Sequence, residues 1–331
     1  MSVLILTPCG FELIRETVRR LRAQTARERM ELVVVAPSRE ALGAFEREAA
    51  GFTSVRVVEA GEIRRVSAAK ALGVRAARAP FVAFAEEHCY PEPEWARLLL
   101  AAHARGWDAV GPRMCNANPA SAVSRAGLYL NYGRCLAPAE SGPAASLPWH
   151  NTSYRREALD AYGEDLATLL SVEGLLLEDM RARGRGLYFE AEARTHHVNI
   201  SRFSSWVAHS FWGGRMFGAA RARGKRWTTL RRLAYVGGGP LIPLVRVRRA
   251  LPEVYRTGAR HSDVARVLPA MLAGLIPHAL GEMTGYAFGA GRAEERYSSY
   301  ELNRSLHVTE RDRRELDARS EESRQFDEVG V

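Results

Sequence analysis

An α/β fold built on a mostly parallel sheet with helices on both faces is predicted for the first 115 residues. Three observations carry it. Five short apolar, β-branched runs recur along this stretch, four of them separated by segments with helical spacing. The runs Val3 to Thr7, Glu31 to Ala36 and Phe81 to Ala85 are apolar almost throughout rather than alternating, as strands buried on both faces are. Each connection between runs is long enough for a crossover, which parallel neighbours require.

The elements follow in order. Val3 to Thr7 is a first strand, closed by the turn signal Pro8-Cys9-Gly10. Glu12 to Ala23 places Leu13, Ile14, Thr17, Val18 and Leu21 at helical spacing. Glu31 to Ala36 is a second strand, Arg39 to Ala50 a helix, Ser54 to Glu59 a third strand and Ser67 to Ala77 an Ala-rich helix. Phe81 to Ala85 is a fourth strand that ends abruptly in Glu86-Glu87-His88. Pro93 to Arg105 is a helix with proline near its start, where the missing N–H is harmless. Asp108 to Met114 is a fifth strand.

Asn116 to Pro148 is looser, with one helix expected around Ala122 to Leu130. Pro148 to Arg155 reads as a strand, Val172 to Arg183 as a helix ended by Gly184, and Leu187 to His197 as extended. Beyond His209, arginine-rich stretches alternate with two apolar segments, Leu233 to Val245 and Val264 to Gly291. The expected division is 1–205, 206–310 as a helical accessory region, and 311–331 as a charged mobile tail.

The chain has 331 residues, 47% of them hydrophobic, enough for a buried core, and its formal net charge is +9. The excess is local. Residues 201–260 hold 13 Lys/Arg against one acid, Glu253, a net of +12, so the remainder sums to −3. A near-neutral body with one basic segment predicts an anionic partner surface. Nucleic acid is the weaker candidate, because no nucleic-acid-binding module accompanies the charge. Anionic lipid fits better, with Trp206, Trp212, Trp227 and Tyr235 suited to an interface. Val264 to Gly291 is long enough to span a bilayer, but Arg266, Pro269, Pro277, His278 and Glu282 favour an interfacial or re-entrant arrangement. The alternative is a helical domain packed on the core. Four cysteines, Cys9, Cys89, Cys115 and Cys135, form no C-x-x-C pair and are read as reduced thiols. Met1 to Cys9 has no basic segment before it and reads as a strand rather than a secretory leader. No G-x-G-x-x-G follows the first strand, which argues against a dinucleotide-dependent oxidoreductase.

Ligands of open α/β sheets bind at the carboxyl ends of the strands. Glu86, Glu87 and His88 stand at such an end. Two carboxylates and an imidazole together suit a divalent cation, which would neutralise a diphosphate leaving group.

The stretch from Lys70 to Trp95, KALGVRAARAPFVAFAEEHCYPEPEW, resembles the part of family 2 glycosyltransferases where a helix leads into a strand and a D-x-D type cluster, followed by proline and an aromatic. The opening Val3 to Pro8 resembles that family's first strand. The resemblance covers about residues 2–200. It implies a GT-A type fold with a C-terminal helical, basic, membrane-associating region. It also implies inverting transfer of one sugar from a nucleotide-diphosphate donor to an acceptor hydroxyl, on a glycan or lipid-linked acceptor of the cell envelope. Thr7, Pro8, Lys70, Glu86 and Glu87 are then the expected nucleotide contacts, and Glu86, His88 and His197 the ligands of Mn²⁺ or Mg²⁺. His196 is the alternative to His197, since neighbours on an extended segment point opposite ways. Counting back from Gly184 aligns Glu173 with the family's general base. Asn151 and Ser153 fall where the family lines its acceptor site. The expected location is cytoplasmic, peripheral on the inner face of the cell membrane.

The sequence departs from the family pattern in four places. Ala36-Pro37-Ser38 lacks the acid that reads the base, the metal cluster has Glu and His for two Asp, and Val172 replaces the first acid of the pair. Arg223 stands at the Gln position of the Q-x-x-R-W motif of processive synthases, which points to single-sugar transfer. The altered acids also motivate a second expectation, a scaffold protein whose chemistry has decayed.

Overall fold

The computed structural model describes residues 1–43 and 45–329; nothing is described for the side chains of Glu46 and residues 322–329. Nine strands form one sheet: β1 (Ser2–Leu6), β2 (Glu31–Ala36), β3 (Ser54–Glu59), β4 (Phe81–Ala85), β5 (Cys89–Pro91), β6 (Ala109–Asn116), β7 (Gly142–Pro143), β8 (Ser153–Arg155) and β9 (Leu187–His197). Their order is β3-β2-β1-β4-β8-β6-β9-β5, with β7 on β9. β1 to β4 are parallel, β6 and β9 are parallel, and β8 runs antiparallel between β4 and β6.

The central strands β1, β2 and β4 are largely apolar because both faces are covered. Along β1, Val3 and Ile5 enter one core with Phe11, Ile14, Val18 and Leu21 of helix Phe11–Arg22 and Leu99 of helix Trp95–Ala104. Leu4 and Leu6 enter the other core with Ala71 and Val74 of helix Val66–Ala76 and Leu176 of helix Glu173–Ala182. Alternate residues of one strand thus serve two cores. Helix Val66–Ala76 lies so close to β1 that a Cβ on Gly73 would sit 1.7 Å from Leu4 Cδ1.

Some elements differ from expectation. The helix expected over Arg39 to Ala50 is a turn at Glu40–Leu42 and a short helix Phe45–Glu48; Gly43 between them has φ +56°, which a helix cannot use, and Ala44 lies outside the described residues. β6 carries a proline, Pro112, at the shift in its pairing with β9, where no ladder hydrogen bond is required. Of Pro148 to Arg155 only Ser153–Arg155 is strand. The chain before it turns sharply, with His150 at φ 68°.

The C-terminal part is helical: Phe203–Gly224, Thr229–Gly237, Ile242–Arg256, His261–Phe288, Ala293–Glu301 and Glu310–Val329. Helix His261–Phe288 is long and apolar enough to cross a membrane by length and composition. It crosses helix Phe203–Gly224 backbone to backbone, since a Cβ on Gly214 would meet the His278 carbonyl at 2.0 Å and one on Gly281 the Phe211 carbonyl at 2.1 Å. The segment expected as a mobile tail begins as a docked helix. Asp312 is buried and accepts from Asn118 Nδ2 at 3.4 Å, and Arg319 Nη1 donates to the Ala117 carbonyl at 2.9 Å. Residues 330–331 lie outside the described residues.

Candidate metal and transfer site

β4 ends at Ala85, directly beside Ile5 of β1, so Thr7-Pro8 and Glu86-Glu87 leave the sheet at the same carboxyl edge. The chain then turns into β5, with Cys89 N–H donating to the Glu86 carbonyl at 3.1 Å. The Thr17 hydroxyl donates to the Glu87 carbonyl at 2.9 Å and fixes this turn to the first helix. β5 pairs with β9 so that Cys89 faces His197. That register brings His197 beside His88, with ring centroids 4.8 Å apart.

Three donors converge here. Glu86 Oε2 lies 3.7 Å from His88 Nε2 and 3.8 Å from His197 Nε2. Each imidazole is held from behind: His88 Nδ1 pairs with Glu87 Oε1 at 2.9 Å and His197 Nδ1 with Asn199 Oδ1 at 3.0 Å. Outer partners on Nδ1 leave Nε2 as the inward lone pair, the usual setting of a metal-binding histidine. His88 Nε2 is buried and has no hydrogen-bond partner. A buried polar atom in that state is costly unless a ligand satisfies it. Burial would raise the Glu86 carboxyl, but His88, His150 and His197 pull it down to about 2. Burial pushes the His197 imidazole down to about 3, so it is neutral near pH 7. Cys89 Sγ is 3.4 Å from Glu86 Oε2, but burial holds its thiol well above the usual range, and it stays protonated. Two imidazoles and one carboxylate fit a divalent cation such as Mn²⁺.

A second cluster adjoins the first. Glu173 opens helix Glu173–Ala182, where the positive end of the helix favours a carboxylate. Lys70 Nζ donates to its Oε1 at 2.7 Å, and both side chains are buried. His150 N–H donates to Oε2 at 2.8 Å and His150 Nδ1 pairs with Oε1 at 3.0 Å. Burial alone would raise this carboxyl; Lys70 and His150 hold it well below the usual range. Burial likewise works against His150 carrying charge, yet Glu173 raises its pKa. Glu173 is therefore not the free carboxylate that the general-base expectation requires. Both of its oxygens are occupied. Lys70, expected at the nucleotide, is spent on this pair, on His150 Nδ1 at 3.3 Å and on the Phe84 ring, 4.7 Å from its centroid.

The other expected residues are placed as follows. Thr7 is buried, and its hydroxyl closes its own turn by donating to the Gly10 carbonyl at 2.6 Å. Pro8 is half-buried in that turn. Asn151 is buried and donates to Glu86 Oε2 at 2.8 Å, so it holds the metal-site carboxylate rather than an acceptor. Ser153 lies inside β8, with its hydroxyl donating to the Val110 carbonyl at 3.1 Å and paired with His103 Nε2 at 2.9 Å. It is closed to any acceptor, a correction to the sequence reading: the pleat of a central strand turned it inward. His196 is half-exposed and paired with Glu92 at 2.9 Å, which leaves His197 as the histidine facing the site.

Sequence reasoning missed two groups. Glu301 and Arg304 come from the far end of the chain and are buried beside the site, paired at 2.7 Å. His209 completes the group, with Nε2 2.9 Å from Glu301 Oε1. Glu86, Glu301 and His150 have donor atoms within 4.8 Å of one another, so His150 links the two clusters. Within helix His261–Phe288, Glu282 is buried and paired with His278 at 3.1 Å. Those polar interruptions of an apolar run were the readable sign of an interior polar site.

Between the core and the C-terminal helices lies a cavity of about 870 Å³. Trp149, His150, Glu173, Trp206, Phe217 and Arg246 are among its walls. Leu241, Val245 and Arg249 line it too and are exposed, which marks its mouth on helix Ile242–Arg256.

Solved structures similar to this chain include mannosyltransferase PcManGT from Pyrobaculum calidifontis in complex with GDP-Man and Mn²⁺, at 15% identity over 91% of this chain and 86% of that one, TM-score 0.47. S. aureus TarS is similar at 13% identity over 86% and 55%, TM-score 0.44. GalNAc-T7 with UDP, GalNAc and Mn²⁺ is similar at 14% identity over 60% and 44%, TM-score 0.45. The chain spans about half the length of the latter two. No curated protein matches it. The nine-stranded sheet with helices on both faces is GT-A-like. Residues 2–163 match the family described as Glycosyl transferase family 2.

Proposed function

We propose that the protein transfers one sugar, with inversion, from a nucleotide-diphosphate donor to an acceptor hydroxyl. The observation that carries this reading is the set Glu86, His88 and His197 at the carboxyl edge of the sheet, with the buried Nε2 of His88 unpartnered. These three residues would hold Mn²⁺ or Mg²⁺. A cation there supplies positive charge to the departing diphosphate. Glu87 and Asn199 orient the imidazoles, Asn151 orients Glu86, and the cavity beside Glu173 admits the acceptor.

A lipid-linked acceptor on an anionic membrane, at the cytoplasmic face and in cell-envelope synthesis, agrees with the surface at the cavity mouth. Leu241 and Arg249 are exposed there, and Leu230, Arg231, Leu233, Leu244 and Arg248 are exposed on helices Thr229–Gly237 and Ile242–Arg256. Apolar side chains in the headgroup zone and arginines on lipid phosphates would seat the protein peripherally. The division 1–205, 206–310 and 311–331 remains our working division, with the middle part as the membrane-facing unit. A decayed scaffold is the second reading, favoured by the closed Lys70–Glu173 pair.

Incubation of the full-length protein with UDP-, GDP- and TDP-sugars and Mn²⁺ separates the two readings. Release of the nucleoside diphosphate, abolished by a chelator, is the expected result. A folded protein that releases none from any donor is a scaffold.

A further inference from the structure

The cavity between the core and the C-terminal helices has a volume of about 870 Å³, within the roughly 300–1,000 Å³ of small-ligand sites. Its walls run from the buried Glu173 to the exposed Leu241, Val245 and Arg249 at the mouth. Glu86, His88 and His197 are not among them, so the cavity is a compartment beside the metal cluster rather than part of it. Two properties of the walls select an occupant. Much of the lining is apolar, with Trp149, Trp206, Phe217, Ile242 and Leu275 in it. The lining is also cationic, with five arginines, Arg134, Arg181, Arg221, Arg246 and Arg249, against three acids, Glu173, Glu178 and Glu282.

Those acids are already partnered, by Lys70 at 2.7 Å, Lys225 at 3.7 Å and His278 at 3.1 Å. Arg134 and Arg246 approach carboxylates, Glu253 at 3.7 Å and Glu282 at 4.0 Å. Arg181, Arg221 and Arg249 have no carboxylate at ion-pair distance among the described residues. Arg181 donates to the Ala145 carbonyl at 3.3 Å, Arg221 to the Tyr286 hydroxyl at 3.4 Å, and Arg249 is exposed at the mouth. Charge beside an apolar wall is costly without a counter-charge, and guanidinium forks match phosphate oxygens. Free phosphate would leave the apolar lining unused. A neutral lipid would leave the three guanidiniums uncompensated.

We propose that the acceptor is a phosphate-bearing lipid. Its polar head enters the cavity toward Glu173, its phosphate pairs with arginines among Arg181, Arg221 and Arg249, and its hydrocarbon emerges past Leu241 and Val245. The role of acceptor rests on the transferase reading above; the binding rests on the cavity alone.

Calorimetric titration of the full-length protein with dihexanoylphosphatidylglycerol, below its micelle concentration and without donor, reads this binding directly. The expected result is saturable binding, about tenfold or more weaker for dihexanoylglycerol, which lacks the phosphate, and none for inorganic phosphate. At least one of Arg181→Gln, Arg221→Gln and Arg249→Gln should weaken phospholipid binding by about tenfold and leave dihexanoylglycerol binding unchanged, a split that a damaged fold would not give. Equal affinity for the two lipids overturns the proposal. So does inorganic phosphate that binds as tightly as the phospholipid, which would mark a site for the free anion. Binding of neither lipid, or phospholipid affinity unchanged in all three variants, overturns it too. Release of nucleoside diphosphate without lipid binding sinks this proposal and spares the transferase reading. Lipid binding without release from any donor removes the role of acceptor together with that reading.

Discussion

Glu86→Gln removes metal-dependent donor binding and lowers transfer by roughly a thousandfold, the equivalent of about 4 kcal/mol. Glu86 Oε2 is the oxygen that both inward histidine nitrogens approach, at 3.7 and 3.8 Å. The amide keeps the volume and still accepts from Asn151, so the fold survives while the anionic ligand is lost. Two imidazoles alone would bind a hard cation weakly. Mn²⁺ titration and steady-state transfer rates check this. A variant with wild-type metal affinity would place the cation elsewhere, and Glu86, His150 and Glu301 form the other donor set among the described residues.

Lys70→Met destabilises the protein by about 3–5 kcal/mol, because it strands the buried Glu173 charge with His150 as its remaining partner. Equilibrium unfolding in denaturant measures this. Combining it with Glu173→Gln should recover much of the loss, since the uncompensated charge then disappears. The sign of the pH dependence follows from the direction of the Glu173 shift. Its folded pKa lies below the ordinary carboxylate value. Its contribution is therefore fully present above about pH 4.3 and is lost as the pH falls from there toward the folded value. The gap between wild type and Lys70→Met should narrow over the same acid range, because a protonated Glu173 needs no cation. A loss below about 1 kcal/mol would mean that the pair behaves as a solvated surface bridge.

Much of the sheet is legible in the sequence because its strands are buried on both faces. β1, β2 and β4 read as uninterrupted apolar runs, and the polar residues after β4 stand out against them. Glu86 and His88 were legible for that reason. His197 was expected from the family resemblance, and its place beside His88 rests on its register against β5, which is a long-range fact. Ser153 was misread because a hydroxyl in a strand carries no sign of which face it will occupy, and here it meets His103 in the core. His150 was passed over because a single histidine in an irregular stretch is a weak sign of a left-handed backbone, even though histidine is enriched there. Glu301 and Arg304 belong to a stretch that looks solvated, and only the return of the chain across the site buries them. The charge of residues 311–331 likewise hid a helix that docks at Asp312 and Arg319.

Calorimetric titration of the purified full-length protein with UDP, GDP and TDP, with and without Mn²⁺, tests the central claim most directly. The account predicts that one nucleoside diphosphate binds tightly, that binding needs the cation, and that Glu86→Gln abolishes it. A folded protein that binds none of the three, or binds one equally well without a cation, contradicts it.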